Sequence, residues 1–154
     1  MAGKGEHVAR TSIYLNFAGK TEEAFTWYRT VFGTEFTGPL MRMNEAPAAP
    51  GAPALSAAEK NLVMHVELPI TGGHVLMGAD AVESMGHRLT VGTNVSIMLQ
   101  PDTREEARRL FEALSSGGKV TMLLQDMFWG DYYGSWIDRF GVQWMVNCSQ
   151  RAAP

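Results

Sequence analysis

Chemistry at neutral pH requires side chains that move protons, attack carbon or grip a cation, and this chain spaces few of them for such work. His65 and Glu67 stand two apart in NLVMHVELPI, so on an extended strand both leave one face. His74 opens GHVLMGA across the pair Gly72-Gly73, completing an imidazole–carboxylate–imidazole set that a borderline divalent cation accepts. The simpler reading makes these residues structural, with His74 beside a turn and Glu67 facing solvent, and it is the preferred one. His7, ahead of the first strand, and His87, in a connector, read as solvated. Asp126, Asp131 and Asp138 are candidate general bases wherever burial withdraws them from water. Asp138, in DRFG, reads more simply as a turn residue capping its own backbone, and Asp80 as a strand-end cap. Asp131 stands among aromatic rings and stays open as a base. Cys148 has no histidine beside it in sequence, so a thiolate nucleophile has little support. The chain carries no G-x-S-x-G, P-loop or dinucleotide fingerprint, and no glycine loop after a strand of the kind that holds S-adenosylmethionine.

A second feature is aromatic. The stretch FWGDYYGSWIDRFGVQWMVN, residues 128–147, places seven aromatic rings in twenty positions. Trp129, Tyr132 and Tyr133 flank or fall between Gly130 and Gly134, where wide rings with polar tips can meet a ligand at low entropic cost. Trp144 is out of phase with Gln143 and Met145 and is expected to pack beneath a helix. The bland alternative is that these rings fill a core or a subunit interface.

The elements that must position these residues repeat. Glu22-Glu23-Ala24 recurs 83 residues later as Glu105-Glu106-Ala107. Ala24, Trp27, Tyr28 and Val31 share a helix face, and Ala107, Leu110, Phe111 and Leu114 reproduce its spacing. Thr21 is the expected N-cap of the first helix, and Thr103 with Glu106 forms a capping box for the second. Gly33 and Gly117-Gly118 are the expected stops. A strand precedes each helix: TSIYLNF (11–17), with Ile13, Leu15 and Phe17 on its apolar face, and NVSIMLQ (94–100), with Val95, Ile97 and Leu99. Three strand-like runs follow each helix, giving an α+β chain of two tandem βαβββ modules, about 11–80 and 94–148, within one domain spanning 1–154. The Ala/Pro-rich segment 44–60 lacks alternation and is expected to be a mobile loop: a lid, an arm onto a neighbouring subunit, or an inert insertion.

Composition narrows the partners. A net charge of −3 without a Lys/Arg cluster argues against nucleic acid or an anionic membrane surface. No run has the apolar length of a signal peptide or a membrane span, and a single cysteine forms no internal disulfide, so the expected compartment is the cytoplasm. Ten methionines suit an adaptable core or a cavity for a variable apolar ligand.

The tandem modules resemble the vicinal oxygen chelate superfamily of glyoxalases, bleomycin-resistance proteins and ring-cleaving dioxygenases. YLNFAG with TEEAFTWYRTVFG, MHVELPITGGHVLMGAD and the long C-terminal stretch look most like its PhnB-like branch, often labelled as demethylubiquinone methyltransferase-type. The resemblance implies sheets that curve around a U-shaped cavity, lined by the strand faces turned away from the helices. Those faces carry Ser12, Tyr14, Asn16, Met77, Asn94, Ser96, Met98, Gln143 and Met145. Enzymatic members hold a divalent metal with His and Glu on the first and last strands of each module. The matching positions here are Ser12, Met77, Asn94 and Met145, whose neutral oxygens and thioethers make poor ligands for Zn, Ni, Mn or Fe.

The resulting expectation is a metal-independent, cofactor-free protein that binds a partly apolar small molecule in a homodimeric cleft rather than an enzyme. Its expected ligand contacts are Tyr14, Asn16, Met77, Asn94, Ser96, Met98, Trp129, Tyr132, Tyr133 and Met145. Two other readings stay open. One is an enzyme: a lyase, isomerase or dioxygenase using metal at His65, Glu67 and His74, or a metal-free one using Asp131 or a tyrosine. The other is a module whose aromatic and Ala/Pro segments serve only assembly.

Overall fold

Each amphipathic stripe found in the sequence becomes a helix packed against one face of a sheet. A computed structural model describes residues 8–154; His7 lies outside them. The first module runs β1 (Ile13–Phe17), α1 (Thr21–Phe32), β2 (Met41–Arg42), a single turn α2 (Ala57–Lys60), β3 (Val63–Pro69) and β4 (Val75–Asp80). The second runs β5 (Ile97–Leu99), α3 (Arg104–Ser115), β6 (Lys119–Asp126), β7 (Tyr132–Ile137) and β8 (Gln143–Cys148). The two sheets have matching orders, β1-β4-β3-β2 and β5-β8-β7-β6. β1 pairs with β4, and β5 with β8, in parallel, since a helical crossover separates them in the chain, whereas the remaining neighbours are antiparallel. This is the mixed α+β, two-module plan that the sequence repeat implies.

The faces divide as alternation requires. Ala24, Tyr28 and Val31 of α1, and Ala107, Leu110 and Leu114 of α3, are buried. Gly78 on β4 is small because the Phe25 ring lies where a Cβ would go. On β7, Gly134 leaves the same room for Phe111.

Several local expectations change. Lys20, not Thr21, is the N-cap of α1 and offers no side-chain cap. Asp80 takes over that role from the end of β4. Its Oδ1 accepts from the Thr21 amide (3.1 Å) and hydroxyl (2.7 Å), and its Oδ2 accepts from the Val63 amide (2.9 Å). A carboxylate at a helix N-terminus satisfies an orphan amide and complements the helix dipole. Thr103 does cap α3, accepting from the Glu106 amide at 3.1 Å, but the expected box stays half-made because the Glu106 carboxylate pairs with Arg109. The strand expected over 94–100 is ordered into the sheet only at Ile97–Leu99, so Val95 is exposed rather than under a helix. Segment 44–60 is not featureless: Ser56 and Glu59 close a capping box on α2.

The modules are joined through Asp138, which is 3% exposed. Its Oδ1 accepts from the Phe140 and Val142 amides (2.8 and 3.0 Å), the turn cap expected from sequence. Its Oδ2 accepts from Trp144 Nε1 at 2.8 Å and from the Tyr28 hydroxyl, on the helix of the other module, at 2.5 Å. Burial first, and the Asp138 charge second, push the Tyr28 hydroxyl well above its usual range, so it remains a donor. Trp144 packs beneath α1, with ring centroids 5.6 Å from Tyr28 and 6.0 Å from Phe32.

Removing the Tyr28 hydroxyl therefore tests the joint. Tyr28→Phe is expected to lower the unfolding free energy by about 1.5–3 kcal/mol, the range for a hydrogen bond to a charged group. Asp138→Ala, which strands three further donors, is expected to cost more. Urea unfolding of the three proteins measures both, and wild-type stability in Tyr28→Phe would refute the assignment.

Candidate functional site

The face of the first sheet turned away from α1 carries one polar row. β-ladder register places Tyr14 opposite Met77, and Met77 opposite Glu67. The Tyr14 hydroxyl lies 3.0 Å from His65 Nδ1, and His65 Nε2 lies 3.0 Å from Glu67 Oε1. Glu67 Oε2 accepts from the Thr37 hydroxyl at 2.9 Å, with the Arg10 guanidinium 3.8 Å away. The hydrogen bond from His65 first, and that from Thr37 second, hold the Glu67 carboxyl below its ordinary value, against partial burial. Burial first and the Glu67 charge second raise the Tyr14 hydroxyl above its own. Glu67 is thus a carboxylate, Tyr14 a neutral phenol, and the histidine bridges them.

This geometry does not assemble a metal centre. His74 turns to the backbone, where its Nε2 accepts from the Ile13 amide at 3.3 Å, instead of joining His65 and Glu67. Among the described residues, no three His, Cys, Asp or Glu side chains are grouped to hold a cation. Ser12, Met77, Asn94 and Met145 offer only neutral oxygens and thioethers, which do not suit the divalent ions of the superfamily. The candidate bases are also engaged: Asp126 pairs with Arg104 at 2.7 Å, Asp131 accepts from Asn147 at 3.0 Å, and Asp138 is saturated. Cys148 is buried.

The ten residues expected to contact a ligand do not share one wall. Tyr14 (45% exposed) and Asn16 line two cavities. The smaller, about 580 Å³, lies where β1 approaches the segment before β5, and Gln143 contributes to it. The larger, about 1060 Å³, lies over the same sheet and is roofed by the Ala/Pro segment, with Leu55, Met64, Val82 and Met85 in its lining. Ser96 and Met98 line a third space of about 360 Å³ with His74. Met77, Asn94, Trp129, Tyr133 and Met145 line none of these three. Tyr132 sits on the opposite, helix-packed face, because β7 starts at that residue and its alternation buries Tyr132 with Trp136. The Arg104 guanidinium covers the Tyr132 ring at 3.9 Å. Trp129 stands outside the strand, edge-to-face with Phe128. The lining residues Ala46–Ala49 and Ala52–Leu55 come from the segment whose readings included a lid, though none of them is among the ten expected contacts.

The polar row makes a pH-dependent prediction. A lowered carboxyl value means that the contribution of Glu67 to stability is present above its unfolded value and lost as pH falls through the folded one. NMR titration is expected to place the Glu67 midpoint below those of unpaired glutamates, and His65→Ala to raise it. An ordinary midpoint in the wild type would contradict the network.

Comparison with known proteins agrees with this architecture. The sequence model of the 3-demethylubiquinone-9 3-methyltransferase family matches residues 9–147. The protein YjdN of Escherichia coli (strain K12) is 30% identical over 140 residues, covering 88% of this chain and 92% of that protein. Protein PA1353 from Pseudomonas aeruginosa is 34% identical, with a TM-score of 0.79 and coverage of 93% of this chain and 99% of that one. The PhnB protein from Bacillus cereus is 25% identical, with a TM-score of 0.71 and coverage of 91% and 99%. The chain belongs to the 3-demethylubiquinone-9 3-methyltransferase family and shares the fold of glyoxalase/bleomycin resistance/dioxygenase proteins.

Proposed function

We propose that this protein binds a small, mostly apolar molecule without a metal, in the cavity between the first sheet and the Ala/Pro-rich segment. The cavity carries the proposal. About 1060 Å³ is ample for a small organic molecule, and its wall combines alanine, proline, leucine and methionine with the polar groups of Tyr14 and Asn16. Thioether and small aliphatic surfaces adapt to varied apolar shapes, while Tyr14 and Asn16 orient the guest on a wall that also carries Lys60, Asp80 and His87. Support for metal independence comes from the donor set, since the positions matched to the family's ligands hold serine, asparagine and methionine. The family label does not supply a transferase chemistry, as no S-adenosylmethionine loop is present in the sequence.

The proposal includes a homodimer whose partner completes the open side of the cleft. Support comes from the outer strand of the second sheet, where Leu123 is 71% exposed beside exposed Val120 and Met122, and from Phe128 at 97%. A bare apolar edge strand is a pairing surface unless something covers it.

Binding is expected to appear as a rise in melting temperature across a library of apolar and aromatic metabolites. A ligand at a hundred times its Kd adds about 2.7 kcal/mol to stability. Leu55→Asp, which puts a charge into the roof, is expected to weaken the same ligand at least about tenfold, the equivalent of 1.4 kcal/mol. Prior chelation should leave affinity unchanged. Failure of every compound to bind, or loss of binding on chelation, would refute the reading. Sedimentation is expected to show a dimer that Leu123→Lys shifts toward monomer; a monomeric wild type would remove the shared cleft.

A further inference from the structure

We propose that Tyr14, His65 and Glu67 form a proton relay that accepts the proton of an ionisable hydroxyl on the ligand, a phenol or an enol, and so holds the guest as its oxyanion. The inference rests on the ligand site described above and names the class of its ligand. Four observations carry it.

The first is the order of the three groups. Tyr14 lines the larger cavity, whereas His65 and Glu67 do not; they stand behind it along the sheet. The second is the direction of the hydrogen bonds. An ionised Glu67 can only accept, so His65 carries its proton on Nε2, and Nδ1 is left to accept from the Tyr14 hydroxyl. The phenolic oxygen then turns its lone pairs to the cavity, as an acceptor for a proton-bearing guest.

The third observation is the balance of charge. The ligand O–H proton passes to Tyr14 Oη as the Tyr14 proton passes to His65 Nδ1, leaving a ligand oxyanion, a neutral tyrosine and an imidazolium bonded to the Glu67 carboxylate. No tyrosinate is formed, which agrees with the raised Tyr14 hydroxyl. The other groups facing the relay are Thr37, from the α1–β2 connection, and Arg10, ahead of β1; both face Glu67. Met41 on β2 stands opposite His65, and Met77 on β4 lies between Tyr14 and Glu67; both are neutral. The fourth is the counter-charge available to the guest. Lys60, at the end of α2, lines the same cavity, while the carboxylate of Asp80 there is already taken up by Thr21 and Val63.

The test uses 4-nitrophenol, whose phenolate and phenol absorb at different wavelengths, with 4-nitroanisole as the partner that cannot ionise. The full chain is titrated with each at a pH where free nitrophenol is mostly protonated. The expected result is that bound nitrophenol shows a phenolate-to-phenol ratio at least about tenfold above the free compound, one unit of its titration. His65→Gln, checked for native circular dichroism, should still bind it but abolish the enrichment, and Tyr14→Phe should abolish the enrichment as well. Nitroanisole, followed by thermal shift, should bind the wild type and His65→Gln alike. Nitrophenol bound as the neutral phenol, or enrichment that survives His65→Gln, would overturn the relay while leaving the cavity as a binding site. Binding of nitroanisole with no binding of nitrophenol would also overturn it. If neither compound binds, the relay fails together with the site it rests on.

Discussion

A carboxylate without water needs several donors, and Asp138 obtains four from three parts of the chain. Two come from the backbone of its own turn, one from the indole of β8 and one from a helix that belongs to the other module. A buried charge left without any of these would cost several kcal/mol, so the four must be supplied together. The consequence is geometric. The turn amides lock the β7–β8 hairpin, which keeps Trp136 opposite Trp144 and Ile137 opposite Gln143. The Tyr28 hydroxyl then ties that hairpin to α1. That hydrogen bond acts with the Trp144 ring packed beneath α1 and the Arg109 guanidinium bonded to the Val31 carbonyl to hold the two modules together.

Asp80 performs a comparable task inside the first module. It holds the start of α1 and the start of β3 to the end of β4. With those three elements fixed, the β1–β4–β3 ladder has one register, and Tyr14, Met77 and Glu67 fall on one line. His65 can reach both Tyr14 and Glu67 only in that register, because a slip of one residue would turn its side chain toward α1. The polar row is therefore carried by strands rather than by loops, the arrangement that keeps a functional group in place.

The chemical character of the site follows from what these strands do and do not display. The positions that the sequence resemblance matches to metal ligands, Ser12, Met77, Asn94 and Met145, offer neutral oxygens and thioethers, while His65 and Glu67 stand together on β3. On the proposed reading, such a surface recognises its guest by shape and dispersion rather than by Lewis-acid chemistry. The segment after β2 complements it: two-residue β2 frees the chain early, and the Ala/Pro run crosses over the sheet to roof the cavity.

Much of this was legible in the residues themselves. The 83-residue repeat and the period-two and period-3.6 patterns identify two βαβββ modules, and alternation alone separates Ile13, Leu15 and Phe17 from Tyr14 and Asn16. The burial of Trp144 under a helix and the turn-capping role of Asp138 were readable for the same reason: both depend on neighbours within a few positions. What the pattern could not carry was any contact between distant segments. The alternative grouping of His65 with His74 rests on closeness in sequence, whereas His74 faces a backbone amide of β1 and His65 faces Tyr14, 51 residues away. The pattern placed Tyr132 beside Tyr133 as a ligand contact, although strand alternation sends the two rings to opposite faces once β7 begins at Tyr132. The amino-acid sequence determined the elements and their inward faces, since burial periodicity is local. Only the tertiary structure decided that Asp138 would bind the other module's helix, that Asp80 would cap α1, and that the Ala/Pro run would become a roof, because these depend on hydrogen bonds and packing between segments that meet only when the chain is folded.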